Sequence, residues 1–403
     1  MSRIEADLAV IGGGVAGLCT ARAYLQAEPE AHVLLLERGD RLGPEQSTHN
    51  SGVLHDGFEY VPGSNKARYA TKGTALATAF CAEHGVPTPL RGLLVVATDE
   101  EEVAGVRTYH ERGQANGVGV HLVDEEAARE VEPHVGPLLE ALHVPATRSI
   151  DSAGYVAALG KDVQARGATV RYRSPVKRIK ETTSGATLTT TDGTDVHAER
   201  YLNAAGVNVD RLAAQVGADD GHRIVPFRGD YHELTPKADH LCRGHIYPAP
   251  RLDLPFLGVH LSRTAAGKVI VGPNAALAGG RFVYSPWGLN PKDLARTTAY
   301  KGFRRLMAKP QMRKHVPSEI HKSLSPRRFR EEAQKLVPVL GRGDMVRSFS
   351  GIRAQLVSPD GDLVMDLMNT ESERGVHILS GASPGLTGSL PFGMELAERL
   401  RAM

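Results

Sequence analysis

Apolar residues fall in short runs along this chain, and the period of each run predicts an element. Residues 7–12, Asp-Leu-Ala-Val-Ile-Gly, read as a short buried strand. The Ala-, Leu- and Arg-rich stretch running to Ala27 reads as a helix. His32 to Leu36 then reads as a second strand, ending at Glu37. A strand is predicted over Leu93 to Ala97, followed by a helical excursion and a return. Residues 199–206, Glu-Arg-Tyr-Leu-Asn-Ala-Ala-Gly, predict a strand that ends in a small-residue turn. Further strands are predicted around 224–234, 256–262 and 268–272, followed by a basic helical region. The chain closes with a strand (Gly375 to Leu379), a Gly/Ser/Pro turn (Ser380 to Gly388) and an amphipathic helix. No apolar run reaches the ~18 residues that cross a bilayer, and no repeat or long linker interrupts the pattern.

Between the first strand and the first helix stand Gly12, Gly14 and Gly17, in GxGxxG spacing. Together with the second strand they form a complete βαβ unit. Gly12 permits the tight turn, Gly14 lets backbone approach a pyrophosphate, and Gly17 allows close packing of helix on strand. The helix N-terminus adds positive partial charge. Glu37, twenty residues after Gly17, stands where a carboxylate accepts bonds from ribose hydroxyls, which disfavours a 2′-phosphate. FAD and NAD remain. Segments 199–206 and 375–400 favour FAD, because both read as returns of the chain to the dinucleotide, and the last helix can face a reduced flavin with its positive end. Val15, Ala16, Arg38, Val176, Ala205, Gly206, Gly385, Leu386 and Thr387 join the glycines and Glu37 as expected FAD contacts.

Composition narrows the class. The chain has 403 residues, 41% hydrophobic and 23% charged, as an ordinary globular protein does. Its 43 glycines suit many tight turns and close backbone contacts. Cys19, Cys81 and Cys242 are far apart and form no CxxC pair, so neither a disulfide framework nor a metal site is expected. Glu5 stands where a signal peptide would begin its apolar region, and the expected location is cytoplasmic. A net charge of +2 conceals an asymmetry: residues 292–335 hold 13 Lys/Arg against 4 Asp/Glu, or +9, which leaves 2 − 9 = −7 elsewhere. Such a block suits solvated helices or peripheral contact with an anionic membrane. Nucleic acid is not expected, because no recognition motif accompanies it.

The run Ser47-Thr48-His49-Asn50-Ser51-Gly52-Val53-Leu54-His55, with Pro62-Gly63-Ser64 after it, resembles the flavin-proximal segment of the L-2-hydroxyglutarate oxidase/dehydrogenase family, within the D-amino-acid-oxidase-like flavoproteins. Val225-Pro226-Phe227-Arg228-Gly229-Asp230-Tyr231, Ile246-Tyr247-Pro248, Pro255-Phe256-Leu257-Gly258-Val259-His260, Gly272-Pro273-Asn274-Ala275 and Gly351-Ile352-Arg353-Ala354-Gln355 match in the same order. The resemblance covers nearly the whole chain. It implies an α/β two-domain protein: a Rossmann-like FAD-binding domain with an inserted antiparallel or mixed-sheet substrate domain. It also implies Thr48, His49, Asn50, Ser51 and Gly52 as cofactor contacts, and hydride transfer from a 2-hydroxy acid to flavin N5, with oxygen or a quinone as electron acceptor. Asp56, Glu59-Tyr60 and the turn Gly381-Ala382-Ser383-Pro384-Gly385-Leu386 depart from the family pattern. Two added carboxylates near the flavin would repel a dianion.

Oxidising a 2-hydroxy acid needs a base for the hydroxyl proton and cations for the carboxylates. His55 is the candidate base, in the flavin-proximal segment, and His49 a supporting residue. Arg353 and Arg228 are candidate clamps, since a guanidinium binds a carboxylate bidentately; Asp230 is an alternative partner for Arg228. Tyr231, His260 and Asn274 are placed on strands of the substrate sheet as further hydrogen-bonding groups, and Trp287 as a loop anchor. The expected division is 1–88, 148–221 and 346–403 for FAD, and 89–147 and 222–345 for substrate. Two other functions stay open: oxidation of a different alcohol or amine, and nucleotide binding without catalysis.

Overall fold

A computed structural model describes residues 3–250, 258–381 and 383–403. The chain opens with β1 (Arg3–Ile11), α1 (Val15–Ala27), β2 (Val33–Leu36), β3 (Val53–Leu54) and α2 (Asn65–Glu83). A first excursion carries β4 (Leu93–Ala97), α3 (Glu100–Ala115), β5 (His121–Val123), α4 (Glu125–Val131) and β6 (Glu140–Val144). The return comprises β7 (Arg148–Ser149), α5 (Ser152–Ala165), β8 (Thr169–Arg171), β9 (Val176–Thr182), β10 (Gly185–Thr190), β11 (Asp195–Asn203) and α6 (Val209–Ala213). A second excursion holds β12 (Arg223–Leu234), β13 (His245–Pro248), β14 (Leu261–Arg263), β15 (Val269–Val271) and β16 (Ala276–Leu277). It continues through the helices α7 (Pro291–Ala299), α8 (Lys301–Ala308), α9 (Pro310–Leu324) and α10 (Pro326–Gln334) to β17 (Met345–Val357). β18 (Met368–Glu371), β19 (Gly375–Ser380) and α11 (Ser389–Ala402) close the chain.

Two large sheets result. In the first, the path runs β18-β19-β11-β1-β2-β8, with β10 on β11 and β9 on β10. β1 lies parallel to both β2 and β11, and all four residues of β2 are buried, as a strand covered on both faces requires. The helices α1, α5 and α11 pack on this sheet through Leu18, Tyr24, Leu159 and Leu396. The second sheet runs β16-β12-β15-β14-β13-β4-β6-β5, with β17 on β12. It is mostly antiparallel and buries Leu94, Ile246, Leu261 and Val271 beneath Phe329 and Leu336.

Three expectations change here. Residues 346–357 were assigned to the nucleotide side, but β17 pairs antiparallel with β12 from Arg223↔Val357 to Leu234↔Met345, inside the second sheet. A strand carries no label for its partner, and this partner lies over a hundred residues earlier. The strand expected around 256–262 is described only from residue 258, where Leu261–Arg263 forms β14; residues 251–257, with the Pro255-Phe256-Leu257 match, lie outside the described residues, as does Ala382. Trp287 is not an anchor: it is 76% exposed, in a turn held by Ser285.

Candidate active site

The glycine turn is built as its spacing demands. Gly12 has φ +107°, and a Cβ there would meet the Ala204 carbonyl oxygen at 2.4 Å. A Cβ on Gly17 would meet the Gly12 oxygen at 2.1 Å, so helix and strand approach closer than any side chain permits. Gly14 caps α1 without a side-chain bond. Gly14 to Gly17 face a cavity, and the positive end of α1 faces it with them. Glu37 is buried at the end of β2 and accepts from Gly13 N at 2.9 Å and Gly39 N at 2.6 Å. Its other lone pairs suit ribose hydroxyls. Arg38 lies over the Phe282 ring at 3.7 Å and pairs with Glu45. This turn, close-packed with a carboxylate at its far end, fits the dinucleotide of FAD.

From the α1 terminus the cavity, of about 780 Å³, runs to the second sheet. That size holds a sizeable ligand. Its wall includes His49, Asn50, Ser51 and Gly52 on one segment, Gly206 from the middle of the chain, and Gly385, Leu386 and Thr387 near its end. His55, Arg228, Tyr231, His260 and Arg353 line it too. Sites from sequence positions three hundred residues apart thus converge, and the backbone N–H of His55 donates to Thr387 Oγ1 at 3.1 Å.

At the far end, Glu59 Oε1 stands 3.7 Å from His55 Nδ1. Burial lowers the Arg353 pKa, and Tyr60 and Glu59 oppose that shift. Tyr231 stacks on Phe349 with centroids 4.5 Å apart, and burial pushes its phenol upward. His260 Nδ1 lies 2.9 Å from the Gly258 oxygen, which assigns its proton there and leaves Nε2 an acceptor. Burial pulls its pKa down to about 4.

Several expected site residues have other work. Arg228 is 3% exposed and gives Nε to Asp230 Oδ1 at 2.9 Å, Nη2 to Oδ2 at 3.3 Å and Nη1 to the Ser285 oxygen at 3.0 Å. Burial raises the Asp230 pKa, but the bonds from Arg228 outweigh it and hold the carboxyl below its usual range. Asn274 lies between β15 and β16, not on a strand; it accepts from Asp230 N at 2.8 Å and donates to Ser323 Oγ at 2.7 Å. His260 likewise precedes β14. Thr48 donates to the Gly43 oxygen at 2.7 Å and is not among the described residues lining the cavity. Gly12, Glu37, Arg38, Val176 and Ala205 are not either; Ala204 and Gly206, flanking Ala205, are. Asp56 also lies off this wall, accepting from Thr147 Oγ1 at 3.1 Å, and burial raises its pKa. Of the two added carboxylates, only Glu59 faces the cavity.

Ala204, from the 199–206 return, also lines the cavity, and so do Gln46, Lys66, Tyr109 and Arg112, which the sequence motifs do not single out. For Lys66 a signal existed: a cation in the first turn of a helix opposes the macrodipole, and such local misfits concentrate at functional sites.

A glycine turn with a buried carboxylate at its far end, and a cavity that runs from it to a mostly antiparallel sheet, fit a flavin-dependent oxidoreductase. The chain belongs to the family described as FAD dependent oxidoreductase, whose model matches residues 7–399. It is 34% identical over 400 residues to L-2-hydroxyglutarate dehydrogenase of Escherichia coli O17:K52:H18 (strain UMN026 / ExPEC), covering 98% of this chain and 93% of that protein. It is 34% identical to the mitochondrial L-2-hydroxyglutarate dehydrogenase of Nematostella vectensis, covering 98% and 90%. L-alpha-glycerophosphate oxidase of Mycoplasma pneumoniae shares the fold, with a TM-score of 0.79, 22% identity and coverage of 100% and 95%. Glycine oxidase of Geobacillus kaustophilus shares it at 0.74, with 22% identity and coverage of 98% and 95%. The resemblance drawn from the motifs is borne out, and the protein is an FAD-dependent enzyme. Among the described residues no helix is long and apolar enough to cross a membrane.

Proposed function

We propose that this enzyme oxidises L-2-hydroxyglutarate, or a close 2-hydroxy acid, to the 2-oxo acid. The observation that carries this is the meeting of His55 and Arg353 on one cavity wall with the α1 terminus. Gly12, Gly14, Gly17 and Glu37 hold the dinucleotide, with Gly385 to Thr387 closing over it from the chain's end. Bound FAD supplies the hydride acceptor. Arg353 orients the substrate by its carboxylate, and His55 takes the hydroxyl proton. Glu59 stabilises the imidazolium that His55 then becomes. Tyr231 and Tyr247, both buried, exclude water from that end.

Glu59 favours a second reading, a cationic amine substrate, because a carboxylate on the wall attracts a cation. A panel of hydroxy acids and amines separates the two by anaerobic bleaching of the flavin. L-2-Hydroxyglutarate should bleach it; bleaching only by amines ends the first reading. His55→Ala should slow bleaching by roughly 10²–10⁴-fold with FAD retained. Arg353→Ala should weaken substrate binding by about 10–150-fold, the worth of a charge-assisted contact.

Oxygen or a quinone then receives the electrons. In the same proposal the protein is cytoplasmic, and α7 to α10 rest on an anionic membrane surface.

A further inference from the structure

Besides Arg353 and the paired Arg228, the cavity wall carries Arg112, which donates to the Glu59 backbone oxygen at 3.1 Å, and Lys66, a cation that neither the motifs nor the comparisons assign. Lys66 sits at the second position of α2, half-buried, on the cavity wall. Its backbone N–H donates to Asp366 Oδ1 at 3.0 Å, and that of Asn65 to Oδ2 at 3.1 Å, so Asp366 is engaged by the helix terminus. Its ammonium has a different fate. Among the described residues no carboxylate lies within ion-pair distance of it, and it stands 5.7 Å from the Tyr60 ring centroid. An ammonium left part-buried without a carboxylate costs stability unless something arrives to match it. The α2 dipole adds to that cost, because a helix N-terminus repels cations.

A dianion with carboxylates at both ends of a short chain needs two cations. Arg353, from β17, is one. We propose that Lys66 is the other, receiving the distal carboxylate and so setting a preference for dicarboxylates. This rests on the reading of the site as one for a 2-hydroxy acid. The groups that act on Lys66 come from three elements: Arg353 on β17, Glu59 and Tyr60 on the loop before α2, and Asp366 before β18. Burial, and then Arg353, draw its pKa down to about 8 against the pull of Glu59 and Asp366. The cation is therefore present below that pH and lost above it, and an arriving carboxylate stabilises the charged form.

The test uses FAD-loaded protein and two ligands with no hydroxyl to oxidise, glutarate and butyrate, with binding read from the flavin spectrum. In Lys66→Gln the ratio of glutarate to butyrate affinity should drop by roughly 10–100-fold. Lys66→Arg should retain most of the ratio. The parent's glutarate affinity should fall as pH rises from 7 to 9, and that fall should vanish in Lys66→Arg. Retained flavin absorbance and a melting temperature no lower than the parent's establish that each variant folds; removing the ammonium should if anything raise it. An equal loss for both ligands, or no loss, overturns the proposal, as does a parent that binds no glutarate. If the ratio behaves as expected while L-2-hydroxyglutarate fails to bleach the flavin, the dicarboxylate site stands and the oxidation reading falls.

Discussion

Asp56 and Glu59 lie on one loop, and the chain reverses between them at Gly57, where φ is +93°. A Cβ at Gly57 would press on Thr71 at 2.9 Å, so this turn is packed against α2 as well as bent. The reversal sends Asp56 to Thr147 and Glu59 to the cavity. Sequence shows both as departures of equal weight, because facing depends on a backbone angle that residue names do not state. The single variants therefore differ. Glu59→Tyr should raise L-2-hydroxyglutarate affinity roughly 15-fold, the ~1.7 kcal/mol exchanged by like charges ~10 Å apart at an effective dielectric of ~20. Asp56→Ser should leave substrate preference alone. Titration of the flavin spectrum for each variant decides this, and a shift in preference from Asp56→Ser contradicts it. Arg228 shows the same limit. A guanidinium two residues from a carboxylate on a strand is legible as clamp or ion pair, and only the fold reveals that Asp230, buried with it, takes the fork.

Among the elements, the βαβ unit was legible because its parts are local: three glycines, one helix and a carboxylate within residues 7–37. β17 was not, since strand pairing is non-local and its partner β12 lies more than a hundred residues earlier. The basic block resolves into α7 to α10, and its charge is partly spoken for. Arg305 pairs with Asp360, Lys309 with Asp362, Lys322 with Glu319, Arg327 and Arg328 with Glu331, and Lys335 with Glu332. Lys292, Arg296, Lys301, Arg304, Arg313 and Arg330 have no carboxylate in reach among the described residues. Trp287, Leu289, Ile320 and Leu324 are exposed on the same stretch of chain. Each unpaired cation near an anionic surface is worth ~1 kcal/mol, which several together turn into measurable adsorption. The protein should sediment with anionic vesicles at low salt and detach at high salt, and Lys301→Glu with Arg304→Glu should weaken the attachment. No sedimentation at low salt ends the membrane proposal.

For the whole molecule, four buried histidines set the response to acid. Burial draws His232, His260 and His377 down to about 4 and His245 to about 3. Each binds fewer protons folded than unfolded between its folded pKa and the usual ~6.5, so stability is full above ~6.5 and falls as pH drops below it. Each contributes up to about 1.4 kcal/mol per pH unit in that window. The melting temperature should decline steeply from pH 6.5 to 5, and His245→Asn should flatten the decline; a level profile contradicts the assignment. The order of strands in the first sheet has a further result, felt during synthesis. β1 is made long before its neighbour β11, which begins at Asp195, and longer still before α11 (Ser389–Ala402), which packs on α1. At ~5–20 residues per second a ribosome needs roughly 20–80 s to deliver α11 after β1. For that interval the apolar runs Leu8–Ile11 and Val33–Leu36 have no complete sheet to enter, and the nascent chain carries two exposed strands able to pair with other chains. Aggregation during rapid overproduction, relieved by slower translation or by chaperones that bind extended apolar segments, is the expected consequence of a sheet and helix layer drawn from segments so far apart in sequence.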